Sequence, residues 1–114
     1  MLNTATLRAA GCDVDAGLAR CVNNEALYIR LVNMALDDSN FSRLTDAVAS
    51  GDLKAGFEAA HALKGVTANL SLTPLLTPIT EITELLRHPE PDADCGALIE
   101  AITAARDKLL ALRD

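Results

Sequence analysis

The chain has 114 residues, half of them hydrophobic but only 3% aromatic, with 16 acidic against 10 basic side chains and a net charge of −6. That length suits one domain, 1–114, able to bury roughly two-thirds of the surface its unfolded chain exposes. The acidity argues against an electrostatic grip on nucleic acid or on an anionic membrane, and leaves proteins as the natural partners.

Ala and Leu dominate the composition, which favours helix over strand, and the first ten residues, "MLNTATLRAA", suit a short helix closed by Gly11. "CDVDAGLARCVNN" then carries Val14, Leu18 and Val22 at helical intervals, with Asp13 as the N-cap. Asn23 and Asn24 read as a break and a new cap. From there "EALYIRLVNMAL" places Leu27, Leu31, Met34 and Ala35 on one apolar stripe. The polar run "DDSN", residues 37–40, interrupts or kinks this rod, with Ser39 reading as a cap. "FSRLTDAVAS" resumes it with Phe41, Leu44 and Val48 before Gly51.

Asp52 caps the next helix, which runs through His61 to about Leu70. In "LTPLLTPITEITELLR", Pro74 suits a first helical turn, while Pro78 lies further in and predicts a distorted start. "HPEPDAD", with Pro89 and Pro91, is the clearest loop. The last helix, "CGALIEAITAARDKLLAL", repeats apolar residues at Leu98, Ile102, Ala105, Leu109 and Leu112. No segment alternates with period two for long enough to make a strand. Counting 24–50 as one broken rod, the pattern predicts an all-α protein: an antiparallel four-helix bundle with a short N-terminal helical extension.

Cys12, Cys21 and Cys95 are odd in number and widely spaced, with no CxxC or Cys/His metal spacing. Neither a disulfide framework nor a metal site is expected, and inert thiols in a reducing cytosol are the simpler reading. "MLNTATLRAAGCD" lacks the apolar run of a signal peptide, and no stretch reaches membrane-spanning length, so a cytoplasmic location is expected.

The chemistry concentrates in "AAHALKGVTANL", residues 59–70. With His61 at zero on a helical wheel, Lys54, Gly65, Glu58, Ala68 and Lys64 all fall within about 60° of it. Leu63, Leu70, Val66 and Ala59 fall within about 40° of the opposite side, and Phe57, at about −40°, covers one edge. His61 is thus expected to point outward. A lone helical histidine is ordinarily a solvated surface residue, but Gly65 in mid-helix costs about 1 kcal/mol relative to Ala and asks for a reason such as close approach by a partner. Lys64 adds a mobile cation one turn from the imidazole, and Ala68 a second low spot. Glu58, and Glu81 or Glu84 on the next helix, have the reach to accept from the second ring nitrogen, though each alone reads as an ordinary surface carboxylate. No Gly-rich phosphate cradle is present, which speaks against a kinase using ATP by itself.

Ala60, His61, Leu63, Lys64 and Gly65 resemble the signature of histidine-containing phosphotransfer (HPt) domains, AHxLKGxxxxxG. The resemblance covers about residues 11–87, including "GCDVDAGLARCVNNEALYIRLV" and "SGDLKAGFEAAH", which are similar to bacterial members; the last helix matches only in pattern. The family often has glycine where Ser71 stands. On the wheel Ser71 lies at about 280°, off the His61 face, so altered helix packing is expected there rather than lost reactivity.

The resemblance implies a carrier in a two-component phosphorelay, not an enzyme with its own nucleotide site. His61 would accept a phosphoryl group from, or return it to, the aspartate of a response-regulator receiver domain, with Nε2 as the reacting nitrogen. Lys64 would stabilise phosphoryl oxygens and Gly65 would permit partner access. The chain would need no cofactor, since the receiver supplies Mg²⁺. The implied partners are a receiver domain, a hybrid histidine kinase, or both, with the chain acting as a monomer and with no role for nucleic acid or membrane. The alternative is an HPt-like interaction module that docks receivers or kinases without carrying phosphate. A third option is a phosphate-accepting fragment of a larger sensor kinase, against which Met1 and a complete bundle both speak.

Overall fold

Short polar side chains open most of the helices. In the computed structural model, which describes residues 1–89 and 95–113, Asn3 Oδ1 accepts from the Thr6 amide at 2.9 Å, Asp13 caps Ala16, Asn24 caps Leu27 and Asp52 caps Ala55. Each cap satisfies one of the amides that a helix start leaves without a partner. The resulting helices are α1 (Thr4–Ala9), α2 (Val14–Arg20), α3 (Glu25–Leu36), α4 (Asn40–Ser50), α5 (Leu53–Asn69), α6 (Thr73–Arg87) and α7 (Cys95–Ala111). The protein is all-α, with no strand among the described residues.

Helices α4, α5, α6 and α7 pack in chain order, and α7 returns to α4 to close a four-helix bundle. Glycine punctuates the connections: Gly11 (φ 99°) and Gly51 (φ 75°) both take the left-handed conformation that ends a helix. The broken rod is two helices. Ser39 precedes α4 but forms no side-chain cap; Asp38 does this instead, accepting from the Asn40 amide at 2.8 Å. Helix α3 is tied to the end of α7 by Arg113, which donates to the Asn33 carbonyl and side chain and forms a two-pronged pair with Asp37. Arg106 donates to the Leu36 carbonyl at 2.9 Å, a cation placed at the negative end of α3.

Three expectations need correction. The buried face of α3 is Tyr28, Val32, Ala35 and Leu36, while Met34 is 62% exposed and Leu27 and Leu31 are only partly covered. Val22 does not continue α2; the helix ends at Arg20 and Val22 is 83% exposed with φ 48°. Helix α6 runs unbroken through Pro78, so the distorted start amounts to the loss of the bond its missing N–H would have given the Pro74 carbonyl. Of the expected loop at 88–94, only His88 and Pro89 lie within the described residues.

The core is continuous from end to end. Leu7, Val14 and Tyr28 of the N-terminal helices join Leu36, Leu44, Leu63, Leu75, Ile79, Ile82, Ile102 and Leu109 in one buried cluster. The N-terminal helices are therefore part of the fold and not an appendage. They meet the bundle at the α5–α6 turn, where the Tyr28 hydroxyl donates to the Leu70 carbonyl at 2.9 Å and the Asp13 amide to the Ser71 carbonyl at 3.1 Å.

Candidate functional site

Helix α5 carries the site, and its sequence fixes which way each residue turns. Gly56, Ala59, Ala60, Leu63 and Thr67 are buried against the neighbouring helices. The opposite face then carries Lys54, Glu58, His61 and Gly65, all exposed, with Lys64 and Ala68 partly covered. Thr67 is accommodated in the interior because its hydroxyl donates to the Leu63 carbonyl one turn back, at 2.8 Å.

His61 therefore stands on the solvent side in the middle of a 17-residue helix. Neither ring nitrogen has a hydrogen-bond partner among the described residues, so Glu58, Glu81 and Glu84 do not orient it. Glu84 instead faces Arg87 at 3.5 Å. The contact the ring does make is through its face: Phe57, one turn earlier, stacks on it with centroids 5.7 Å apart and planes 23° from parallel. Arg87, at the end of α6, brings its guanidinium carbon within 5.2 Å of the Phe57 ring centroid, a cation–π contact. Arg87 was not legible as part of the site, because only the packing of α6 on α5 brings it to Phe57.

At Gly65 a Cβ would meet no atom of the described residues within 4 Å, so no neighbour among them requires glycine there. Its cost to the helix goes unreturned by internal packing, and the backbone is left open to approach from outside.

The end of α5 is built differently from the wheel's expectation. The helix stops at Asn69, and Ser71 lies beyond it with φ 55°. The Ser71 amide bonds the Ala68 carbonyl at 3.1 Å and the Leu72 amide the Thr67 carbonyl at 2.9 Å, the paired bonds of a Schellman ending. A left-handed residue is required there, which gives a direct reason for glycine at this place in the pattern. Here serine is held in that conformation, with its Oγ 2.6 Å from Arg20 Nη1. The same nitrogen lies 3.2 Å from the carbonyls of Ala68 and Asn69. Arg20 of α2 thus caps the negative end of the histidine helix.

Other polar and reactive side chains serve the structure. Cys12 and Cys21 are buried free thiols, Cys95 is partly covered, and burial pushes the Cys12 thiol up to about 11. No group of three or more metal-ligating side chains occurs among the described residues. Thr83 is buried with its hydroxyl on the Ile79 carbonyl, and Thr77 donates to Thr73, so the threonines of α6 serve the helix itself. Asp37 belongs to the Arg113 pair, which holds its carboxyl below the usual range. No helix among the described residues is long and apolar enough to cross a membrane.

Fold and site together define a class: an all-α bundle that presents one imidazole to solvent from the middle of a helix. Over residues 30–113, well over half its length, the chain matches the Hpt domain family, and it belongs to that family. The match begins within α3, later than the resemblance read from residue 11, and continues through α7, where sequence offered only a pattern. Phosphotransfer within a phosphorelay and interaction with receiver domains come with the family, whose members are phosphoryl carriers and not kinases. No curated protein and no solved structure gave a significant match.

Proposed function

We propose that the whole chain, residues 1–114, is one monomeric cytoplasmic carrier domain that holds a phosphoryl group on His61. The observation that carries this reading is the exposure of His61 on α5, inside the span matched to the family, with both ring nitrogens free of partners among the described residues. A neutral imidazole nitrogen is nucleophilic near neutral pH. Its lone pair, assigned to Nε2, attacks the phosphorus of a receiver's aspartyl phosphate. The N–P bond forms as the acyl P–O bond breaks, the aspartate leaves as a carboxylate, and the Nδ1 proton remains on the ring or passes to water. The reverse step returns the group to a receiver.

Such a transfer depends on in-line alignment and charge neutralisation more than on covalent chemistry from the protein. In this scheme the receiver supplies Mg²⁺ and the aspartate. Lys64 steadies the phosphoryl oxygens, and Gly65 keeps the helix surface low enough for the receiver to close on the site. A hybrid histidine kinase would deliver the group through its own receiver.

The test is incubation with phosphorylated receivers from the same cell, scored as acid-labile, base-stable label on the protein. Wild type should take up label, and His61→Gln should not while keeping its helical circular dichroism and melting temperature. Binding of receivers without any label would instead identify a docking module.

A further inference from the structure

We propose that Phe57 is the positioning residue for His61, fixing the plane of the imidazole through its face where no hydrogen-bond acceptor does so through an edge. This rests on His61 being the phosphoryl acceptor. The reacting lone pair lies in the plane of the ring, so transfer requires that plane to contain the line from nitrogen to phosphorus to leaving oxygen. An exposed histidine on a helix can rotate about its last side-chain torsion, whose well is broad. A carboxylate or carbonyl on the second ring nitrogen is one way to stop this rotation, but none is present among the described residues.

Stacking is another way, and it has a specific advantage here. It holds the ring by its face and leaves both nitrogen edges open. The Phe57–His61 geometry, 5.7 Å between centroids and 23° between planes, is that of an offset aromatic pair. The four-residue spacing puts the two side chains on one helix face a turn apart. Phe57 is itself constrained: it packs against the core cluster, and Arg87 from α6 lies over its ring at 5.2 Å while facing Glu84 at 3.5 Å. The imidazole plane is thereby referred to two helices rather than to one rotating side chain.

The test uses single-turnover transfer from whichever phosphorylated receiver loads the wild type, with receiver concentration varied, for Phe57→Leu and Phe57→Tyr. Phe57→Leu should lower the transfer rate at saturating receiver by roughly two- to tenfold, the scale of an aromatic pair, with the half-saturating concentration unchanged. Phe57→Tyr, which keeps the ring, should restore it. NMR supplies a readout that needs no partner. The chain has only two histidines, so His61→Gln assigns their ring protons. The His61 ring protons should carry a ring-current displacement that Phe57→Leu removes and Phe57→Tyr keeps. Equal rates for Phe57→Leu and wild type, or a loss confined to half-saturation, would overturn the proposal, the second outcome marking Phe57 as docking surface. If ring-current evidence for the stack is present but wild type never takes up label, the carrier reading fails and the positioning role falls with it. If label is taken up but the ring-current displacement is absent, positioning fails alone.

Discussion

Ser71 shows how much a single residue carries at the end of the histidine helix. A left-handed residue other than glycine costs about 1–2 kcal/mol, and here the Oγ contact with Arg20 at 2.6 Å offsets that strain. Replacing the serine separates the two effects. Ser71→Ala keeps the strain and discards the contact, and should destabilise by about 1–2 kcal/mol in denaturant unfolding. Ser71→Gly discards the contact but relieves the strain, and should be about 1 kcal/mol more stable than Ser71→Ala despite glycine's larger unfolded-state entropy. Equal stability of the two would show that φ at this position carries no strain. Neither variant touches the exposed face, so label uptake at His61 should survive in both. The wheel missed this role because it extended α5 two residues past Asn69, and a wheel says nothing about a residue that has left the helix. His61 itself was legible, since a 17-residue helix with Ala59, Leu63 and Val66 opposite it leaves the ring one way to point.

Among the elements, α3 and α5 were both readable as helices, but only α5 was readable in the face it buries, for a physical reason. Gly51 and Asp52 mark the start of α5, and its polar and apolar residues separate cleanly. Helix α3 is apolar on nearly every side, with Leu27, Tyr28, Ile29, Leu31, Val32, Met34, Ala35 and Leu36, so periodicity alone does not set its phase. What sets it is Tyr28, fully buried with its hydroxyl on the Leu70 carbonyl, a contact 42 residues away in sequence. The contact also needs Gly17 of α2, where a Cβ would lie 2.5 Å from Tyr28 Cε1 and 2.7 Å from the Leu70 oxygen. A side-chain ring can shift, but the backbone carbonyl is held by the turn. Gly17→Ala, although favourable for helix propensity, should therefore destabilise by about 1–3 kcal/mol. A thermal midpoint unchanged or raised would show that α2 can move away without cost.

At the scale of the whole molecule, the continuous core has consequences for pH. Burial pushes Cys12 up to about 11 and Tyr28 up to about 12, with the neighbouring thiols adding to the effect on Tyr28. In the unfolded chain these groups ionise near 8.5 and 10. A group whose pKa is raised on folding contributes stability that is complete below its unfolded pKa and lost as pH rises through its folded pKa. The urea midpoint should accordingly hold near neutrality and fall steadily from about pH 8.5 toward 11. A midpoint flat from pH 7 to 10.5 would mean that neither group is as buried as the fold has it. At the acid end the raised groups are silent. There, the Arg8–Asp15 and Arg113–Asp37 pairs, whose carboxyls are held down by their arginines, lose their contribution as pH falls. Both acids are exposed, so that loss is small.

The turn at Leu70–Leu72 receives bonds from Arg20 at the end of α2, from Asp13 at its start and from Tyr28 of α3, and it joins α5 to α6. His61 lies nine residues up the helix from Leu70, about 13.5 Å along its axis. The imidazole therefore rides on a post whose foot is bolted at several points. If His61 is the acceptor, an arriving receiver would meet a well-anchored target and would have to supply the motion itself, so discrimination between cognate and foreign receivers would rest on how each approaches the post and little on how the post bends to meet them.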